Sequence, residues 1–304
     1  MRTPPPLGLT LLFLVAWLGC GACGGGSPST ASASAPAQTV DGRVYLLKVP
    51  HGYDGSVAMP LVVALHAYTS DAAGIETYFG LDPLADADGF FVAYPQGTID
   101  ADGKRFFSAT DACCDFFGTG IDDVKFVGDV LDDVESRYRI DPARVFSVGH
   151  SNGAFMSHRL ACDLSTRFAA VVSLEGASYD DPSRCQPTAP VALLEVHGTS
   201  DAIILPQGGT VVDGFPDRIY PSVSETVGSW AAAEGCTGVG QTSTLAFAID
   251  SETSGPTFVE PWTGCRADVT LWMIEGGTHV PQLTPAWGEA IVGFLLSHPK
   301  AAAN

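Results

Sequence analysis

Five nearly continuous apolar runs limit what this chain can fold into: LVVALH (61–66), FFVAYP (90–95), RVFSVG (144–149), AAVVSLEG (169–176) and VALLEVHG (191–198). Pro60 introduces the first, Pro95 ends the second, and Gly ends the other three. Runs of this kind have the form of strands buried on both faces, as in a parallel sheet. Helical patterns separate them. The clearest, DDVKFVGDVLDDVESRYRI (122–140), places Val124, Val127, Leu131, Val134 and Tyr138 at three- and four-residue steps. Asp122 and Asp123 stand at its start, where the helix dipole favours negative charge. VTLWMI (269–274) reads as the last strand, AWGEAIVGFLLSH (286–298) as a closing helix, and RVYLLKVP (43–50) alternates like an edge strand. Strands alternating with helices predict an α/β fold, a mostly parallel sheet covered on both faces, with chemistry at the carboxyl ends of the strands. No 20–50-residue repeat and no second core is visible, so one domain over about 40–298 is expected.

The residues before it carry an address. Arg2 precedes an apolar run from Leu7 to Leu18, short for a bilayer span but suited to an export signal, so residues 1–19 are set apart from the fold. The next stretch, WLGCGACGGGSPSTASASAPAQ, resembles a bacterial lipoprotein signal followed by a polar tether over 20–39. Cys20 is the first choice of lipidated residue and Cys23 the second, although Trp17 departs from the usual Leu-like residue. The expected place is extracellular or at the cell surface, with a membrane tether through that cysteine; an ordinary cleaved signal with a loose tail is the alternative.

With 34 Asp and Glu against 15 Lys and Arg, the formal charge of −19 argues against nucleic acid as a partner, because phosphate-tracking surfaces need clustered cations. Cys113, Cys114, Cys162, Cys185, Cys236 and Cys265 remain after the leader, an even number that reads as disulfides in an exported chain. Proximity in sequence suggests Cys162 with Cys185 and Cys236 with Cys265, and leaves Cys113 and Cys114 unassigned.

The third apolar run ends on Gly149-His150-Ser151-Asn152-Gly153, a G-x-S-x-G. At this glycine content the spacing arises by chance roughly one time in four, so its context must decide. That context is a buried strand before it and, after it, an apolar-faced helix pattern with Phe155, Met156 and Leu160. A strand–turn–helix of this kind pushes a serine oxygen out of a sharp turn, and the glycines allow close packing around it. A serine hydroxyl needs a base, and the base needs an orienting acid. Asp201 follows the fifth run and His279 follows the last strand, in the order Ser, Asp, His that this turn demands. Asp180 and Asp181, one strand earlier, compete as the acid. The backbone amide of Asn152, at a helix start, is a candidate oxyanion donor. A second should come from the loop LHAYTS (65–70), with the amide of Tyr68 preferred to that of Ala67. Tyr68, His66 and His150 are taken as candidates to contact substrate; His66 and His197 each end a strand.

TIDADG (98–103) and LADADG (84–89) each hold two Asp before a Gly, but lack the acid at the first position and the Glu at the twelfth that a calcium loop needs, and read as turns. No phosphate or dinucleotide glycine signature follows a strand, and no zinc spacing occurs, so neither a cofactor nor a metal is expected.

Taken together, GIDDVKFVGDVLDDVESRYRIDPARVFSVGHSNGAFMSHRLAC, HGTSD, YPSVSETVGSWAAAEGC and EGGTH resemble the exported esterases that group polyhydroxybutyrate depolymerases with feruloyl and acetylxylan esterases. The resemblance covers about residues 42–295. It implies an α/β-hydrolase fold, with Ser151 as nucleophile, His279 as base, Asp201 as acid and carboxylic esters as substrates. Three departures stand out. The family usually has His-Gly at His66-Ala67, Ser-Asn-Gly-Gly at Ser151 to Ala154, and a Trp soon after the histidine where this chain has Val280-Pro281-Gln282. The loss of that Trp removes an aromatic wall and leaves polymer against feruloyl preference open. The loop HAYTS also resembles that of cutinase-like polyester hydrolases. The expectation is thus a monomeric serine ester hydrolase acting on polyester or on feruloyl and acetyl plant-wall esters. A serine peptidase on the same fold and a non-catalytic surface binding protein are the alternatives.

Overall fold

The computed structural model describes residues 34–211 and 217–301. The export signal expected at 1–19 lies outside them, as does most of the expected tether with Cys20 and Cys23. In chain order the strands are β1 (Ala37–Val40), β2 (Arg43–Lys48), β3 (Met59–Leu65), β4 (Phe91–Pro95), β5 (Thr98–Ile99), β6 (Arg105–Phe106), β7 (Ile140–His150) and β8 (Ala170–Leu174). They continue as β9 (Ala192–Gly198), β10 (Gly209–Thr210), β11 (Ile219–Tyr220), β12 (Gly238–Val239), β13 (Ser243–Thr244), β14 (Thr257–Thr263) and β15 (Val269–Ile274). The helices are α1 (Ala72–Phe79), α2 (Asp82–Asp88), α3 (Asp123–Arg137), α4 (Asn152–Asp163), α5 (Val223–Ala233) and α6 (Pro285–Ser297).

The main sheet runs β1-β2-β4-β3-β7-β8-β9-β15-β14, with β12 and β13 both paired to β14. From β4 to β15 every neighbouring pair is parallel; β1, β2 and β14 are antiparallel additions at the two sides. All of the five apolar runs are central strands, as their lack of polar alternation requires. Their residues divide by parity between two layers. Val62, Ala64, Phe146, Val148, Val172 and Leu194 pack with α1, α2 and α6. Leu61, Val63, Leu65 and Val145 face α3 and α4, while Val171 and Leu193 face α4 and α5.

The helix starts follow from local chemistry. Asp122 caps α3 by accepting from Lys125 N, and Ser222 with Glu225 forms a capping box on α5, each worth about 1 kcal/mol. Buried Asp123 pairs with Arg43 at 2.7 Å, tying α3 to β2. Helix α3 buries Val127, Leu131 and Val134 as the pattern predicts, along with Phe126 and Val130, but it stops at Arg137, so Tyr138 is extended backbone.

Other expectations are corrected. The strand at 43–48 is not an edge: β1 covers it, so ordered structure begins at or before Ala37, inside the stretch assigned to the tether. LADADG is no turn; Asp82 and Pro83 start a helix there and Gly89, at φ 73°, ends it. The expected pairs Cys162–Cys185 and Cys236–Cys265 are disulfides, and Cys113 bonds to its neighbour Cys114. Among the described residues, no helix is long and apolar enough to cross a membrane.

Candidate active site

β7 ends at His150, and the chain turns through Ser151 directly into α4. Ser151 adopts φ 53° and ψ −117°, a conformation that non-glycine residues rarely hold. Neighbouring packing enforces it. A Cβ on Gly149 would overlap the Gly153 carbonyl, and a Cβ on Gly153 would overlap the carbonyl of Leu65 at the end of β3. The glycines therefore let strand, helix and the following loop of β3 converge on one point, and leave the Ser151 side chain only 8% exposed.

Two distant loops meet that serine. Asp201 lies three residues beyond β9, and His279 lies five beyond β15. His279 Nε2 is 2.9 Å from Ser151 Oγ, and His279 Nδ1 is 2.8 Å from Asp201 Oδ2. The other oxygen of Asp201 accepts from the amides of Ile203 and Ile204 at 2.7 and 2.9 Å. Burial pushes the Asp201 carboxyl upward, but the hydrogen bond and charge of His279 and those amides outweigh it, so the group sits below the usual range and stays ionised. A carboxylate held this way fixes the proton on Nδ1 of His279 and leaves Nε2 free to accept one from the serine. Asp180 and Asp181 are not in this cluster: Asp181 caps a single 3-10 turn over Pro182–Arg184.

The other candidate side chains hold backbone and loop groups. His66 is fully buried; its Nε2 accepts from Gly97 N at 2.9 Å, so Nδ1 carries the proton and donates to Ala67 O at 2.8 Å. Burial brings it down to about 4, which keeps the ring neutral. With both nitrogens committed to backbone, His66 has no polar atom for a substrate; it braces the loop after β3. His150 is buried beside the histidine loop. Its Nε2 donates to the backbone carbonyl of His279 at 2.7 Å, and burial beside His279 brings it to about 4. Tyr78 stacks on His150 at 5.1 Å between centroids and donates to Pro281 O at 2.9 Å, so two side chains clamp the histidine loop on either side of Val280.

Asn152 is buried, and its amide is a clamp of its own. Oδ1 accepts from Phe107 N at 2.7 Å and Nδ2 donates to Phe107 O at 2.9 Å, tying the Cys113–Cys114 loop to the start of α4. Its backbone N–H, at the first position of the helix, has no intrahelical partner and lies beside Ser151. In the loop after β3, the amides of Thr69 and Ser70 are spent on Arg105 O and Ala67 O. The amides of Ala67 and Tyr68 precede them in the same loop. The Tyr68 hydroxyl donates to Asp100 at 2.8 Å and its ring meets Phe116 edge-on, which fixes the loop.

Behind Asp201 lie His197, noted above as ending a strand, and two residues that were not singled out, Glu175 and Glu195, all with no solvent exposure. The signal was present as charges inside apolar runs, in SLEG and LLEVHG, where a parallel strand should carry none. The carboxyl of Glu175 lies within 4.8 Å of both Asp201 and His279. Two carboxylates and an imidazole could in principle hold a cation, but His279 is already engaged with both Asp201 and Ser151.

A family model described as esterase PHB depolymerase matches residues 43–231. Feruloyl esterase B of Piromyces equi is 29% identical over 204 residues, covering 64% of this chain and 36% of that longer protein. Feruloyl esterase C of Emericella nidulans is 27% identical over 247 residues, 78% of this chain and 77% of the relative. In fold, an acetyl xylan esterase from Aspergillus awamori superposes with a TM-score of 0.62 at 18% identity, covering 83% of this chain and 93% of the other. The sheet order, the elbow and a family match spanning most of the sheet lead to one statement: this chain belongs to the esterase PHB depolymerase family of carboxylic ester hydrolases.

Proposed function

We propose that the chain is an exported serine esterase in which Ser151, His279 and Asp201 form the catalytic triad. The single observation that carries this reading is the unbroken line of hydrogen bonds from Asp201 Oδ2 through His279 to Ser151 Oγ, at 2.8 and 2.9 Å. As Ser151 Oγ attacks the ester carbonyl carbon, its proton passes to His279 Nε2, and Asp201 stabilises the imidazolium. The carbonyl oxygen takes up negative charge and is met by the amides of Asn152 and Tyr68. Collapse expels the alcohol, which takes the proton from His279. Water then attacks the acyl-serine with the same base and releases the acid.

The substrate class is a polyester or a feruloyl or acetyl ester of plant-wall polysaccharide. It is supported by relatives named feruloyl esterases and by the family description. Export is supported by the apolar run from Leu7 to Leu18 and by three disulfides among the described residues, a bond type favoured in oxidising compartments. A surface tether through Cys20 and action as a monomer complete the proposal. The test is hydrolysis of p-nitrophenyl butyrate by parent and Ser151→Ala protein, followed by hydroxybutyrate polymer, methyl ferulate, acetylated xylan and a matched amide. Loss of ester cleavage in the variant with little amide cleavage by the parent supports the reading; equal rates in parent and variant refute it.

A further inference from the structure

Glu175 stands one residue beyond β8 with φ 55°, in the left-handed region that glycine normally fills, although the glycine here is the next residue, Gly176. Strain kept on a non-glycine residue beside a reactive cluster points to what its side chain does. That side chain is wholly buried. Its carboxyl oxygens accept from Gly198 N at 2.9 and 3.0 Å, and one of them lies 3.3 Å from His197 Nε2, which is also 3.5 Å from Asp201 Oδ2. Asp201 and His279 both lie within 4.8 Å of it.

The protons in this cluster can be assigned from donors and acceptors. The Trp230 indole is a donor only, so His158 Nδ1 accepts from it at 2.8 Å, and the proton of His158 sits on Nε2, which donates to Glu195 at 3.0 Å. His197 Nε2 is 2.8 Å from the carbonyl of Ile204, which can only accept, so that nitrogen is protonated. His197 Nδ1 faces Glu195 Oε1 at 3.6 Å. Glu195 and Asp201 thus each have donors that favour the charged form, and Asp201 has three. Glu175 has one backbone amide, the N–H of His197 at 3.3 Å that is given mainly to Ile204, and a second carboxylate against it. Two carboxyls in contact cannot both ionise out of water, and the less supported one keeps the proton. Burial raises Glu175 most, the charge of His197 lowers it and the charge of Asp201 raises it, and the net direction is well upward.

We propose that Glu175 is a positioning residue for ester hydrolysis: it stays protonated at neutral pH and donates that proton as a hydrogen bond to Asp201, bracing the carboxylate that orients His279. The inference rests on the triad reading above. The neutral acid adds no second negative charge beside Asp201, yet it holds the carboxylate from the side opposite His279. Asp201 then remains ionised and fixed while the imidazolium forms.

The test compares parent, Ser151→Ala, Glu175→Gln and Glu175→Leu. Glutamine reproduces a protonated glutamate, with an N–H donor toward Asp201 and a carbonyl toward Gly198, and should keep kcat within about threefold. Leucine fills similar space without a donor and should lower kcat roughly 10–100-fold with KM little changed, the size seen when a partner that orients a catalytic ligand is lost. Infrared difference spectra at neutral pH should show a protonated carboxyl band in parent and Ser151→Ala protein that is missing from Glu175→Gln. The proposal is overturned if no such band separates parent from Glu175→Gln, if glutamine lowers kcat as much as leucine, or if folded Glu175→Leu matches the parent. Should the leucine protein not fold, the glutamine kinetics and the band decide. An active Ser151→Ala enzyme with the band present would sink the triad and leave the proton assignment standing.

Discussion

The Asn152 side chain offers a test of how the site is held, because its role and that of its backbone are separable. In Asn152→Ala the backbone amide beside Ser151 remains, while Phe107 N–H loses its partner in a place with no solvent access and Phe107 C=O keeps only the N–H of Cys114. A buried backbone N–H left unpaired costs about 1–3 kcal/mol, so the variant should be about 1–3 kcal/mol less stable. For a domain of this size that corresponds to a fall in melting temperature of roughly 2–12 °C. Asn152→Asp should not rescue it, since a carboxylate oxygen would face the Phe107 carbonyl in place of the donor. The assay is equilibrium unfolding in urea followed by tryptophan fluorescence, with ester hydrolysis measured well below the transition. Folded Asn152→Ala should keep kcat within about tenfold of the parent, because the proposed oxyanion donor is main chain. A stability change under about 0.5 kcal/mol, the range of an ordinary surface substitution, would refute the clamp.

Two further outcomes follow from buried groups. His150 goes from 6.5 when unfolded to about 4 when folded, so below pH 6.5 the unfolded chain takes up a proton that the fold refuses. Stability present above pH 6.5 is lost as pH falls toward 4, by about 3 kcal/mol at most, and the stability gap between parent and His150→Gln should shrink over that window; a gap constant from pH 7 to 4 contradicts this. The disulfides Cys162–Cys185 and Cys236–Cys265 close loops of 23 and 29 residues, so replacing either pair with serine should cost about 3–4 kcal/mol in urea unfolding; no loss in either would show that the bond does not form in solution.

Much of this arrangement is legible in the sequence, for a physical reason. Strands buried on both faces must be apolar throughout, so the central five were visible, and the elbow, Asp201 and His279 could be placed at their ends. Edge strands carry no such constraint. β1 is half exposed, and β14 contains Glu260 and Pro261, so neither stands out as a strand. Strand-end position does not reveal where a histidine's ring nitrogens go: His66 and His150 serve backbone carbonyls of loops. Glu175, Glu195 and His197 were visible as polar residues in apolar runs, but their joint arrangement was not. Glu195 bonds His158 and His158 bonds Trp230, which come from α4 and α5 and are brought together only by packing. The bond between Cys113 and Cys114 likewise follows from how their own loop folds rather than from spacing.

The account stands on Ser151 being made reactive by His279. The most direct measurement is labelling with a fluorophosphonate, followed by mass mapping of the modified peptide in parent and His279→Ala protein. The account predicts stoichiometric phosphonylation of Ser151 in the parent and a loss of labelling rate of at least about a thousandfold in the variant. Labelling at another residue, or equal rates in the two proteins, would contradict it.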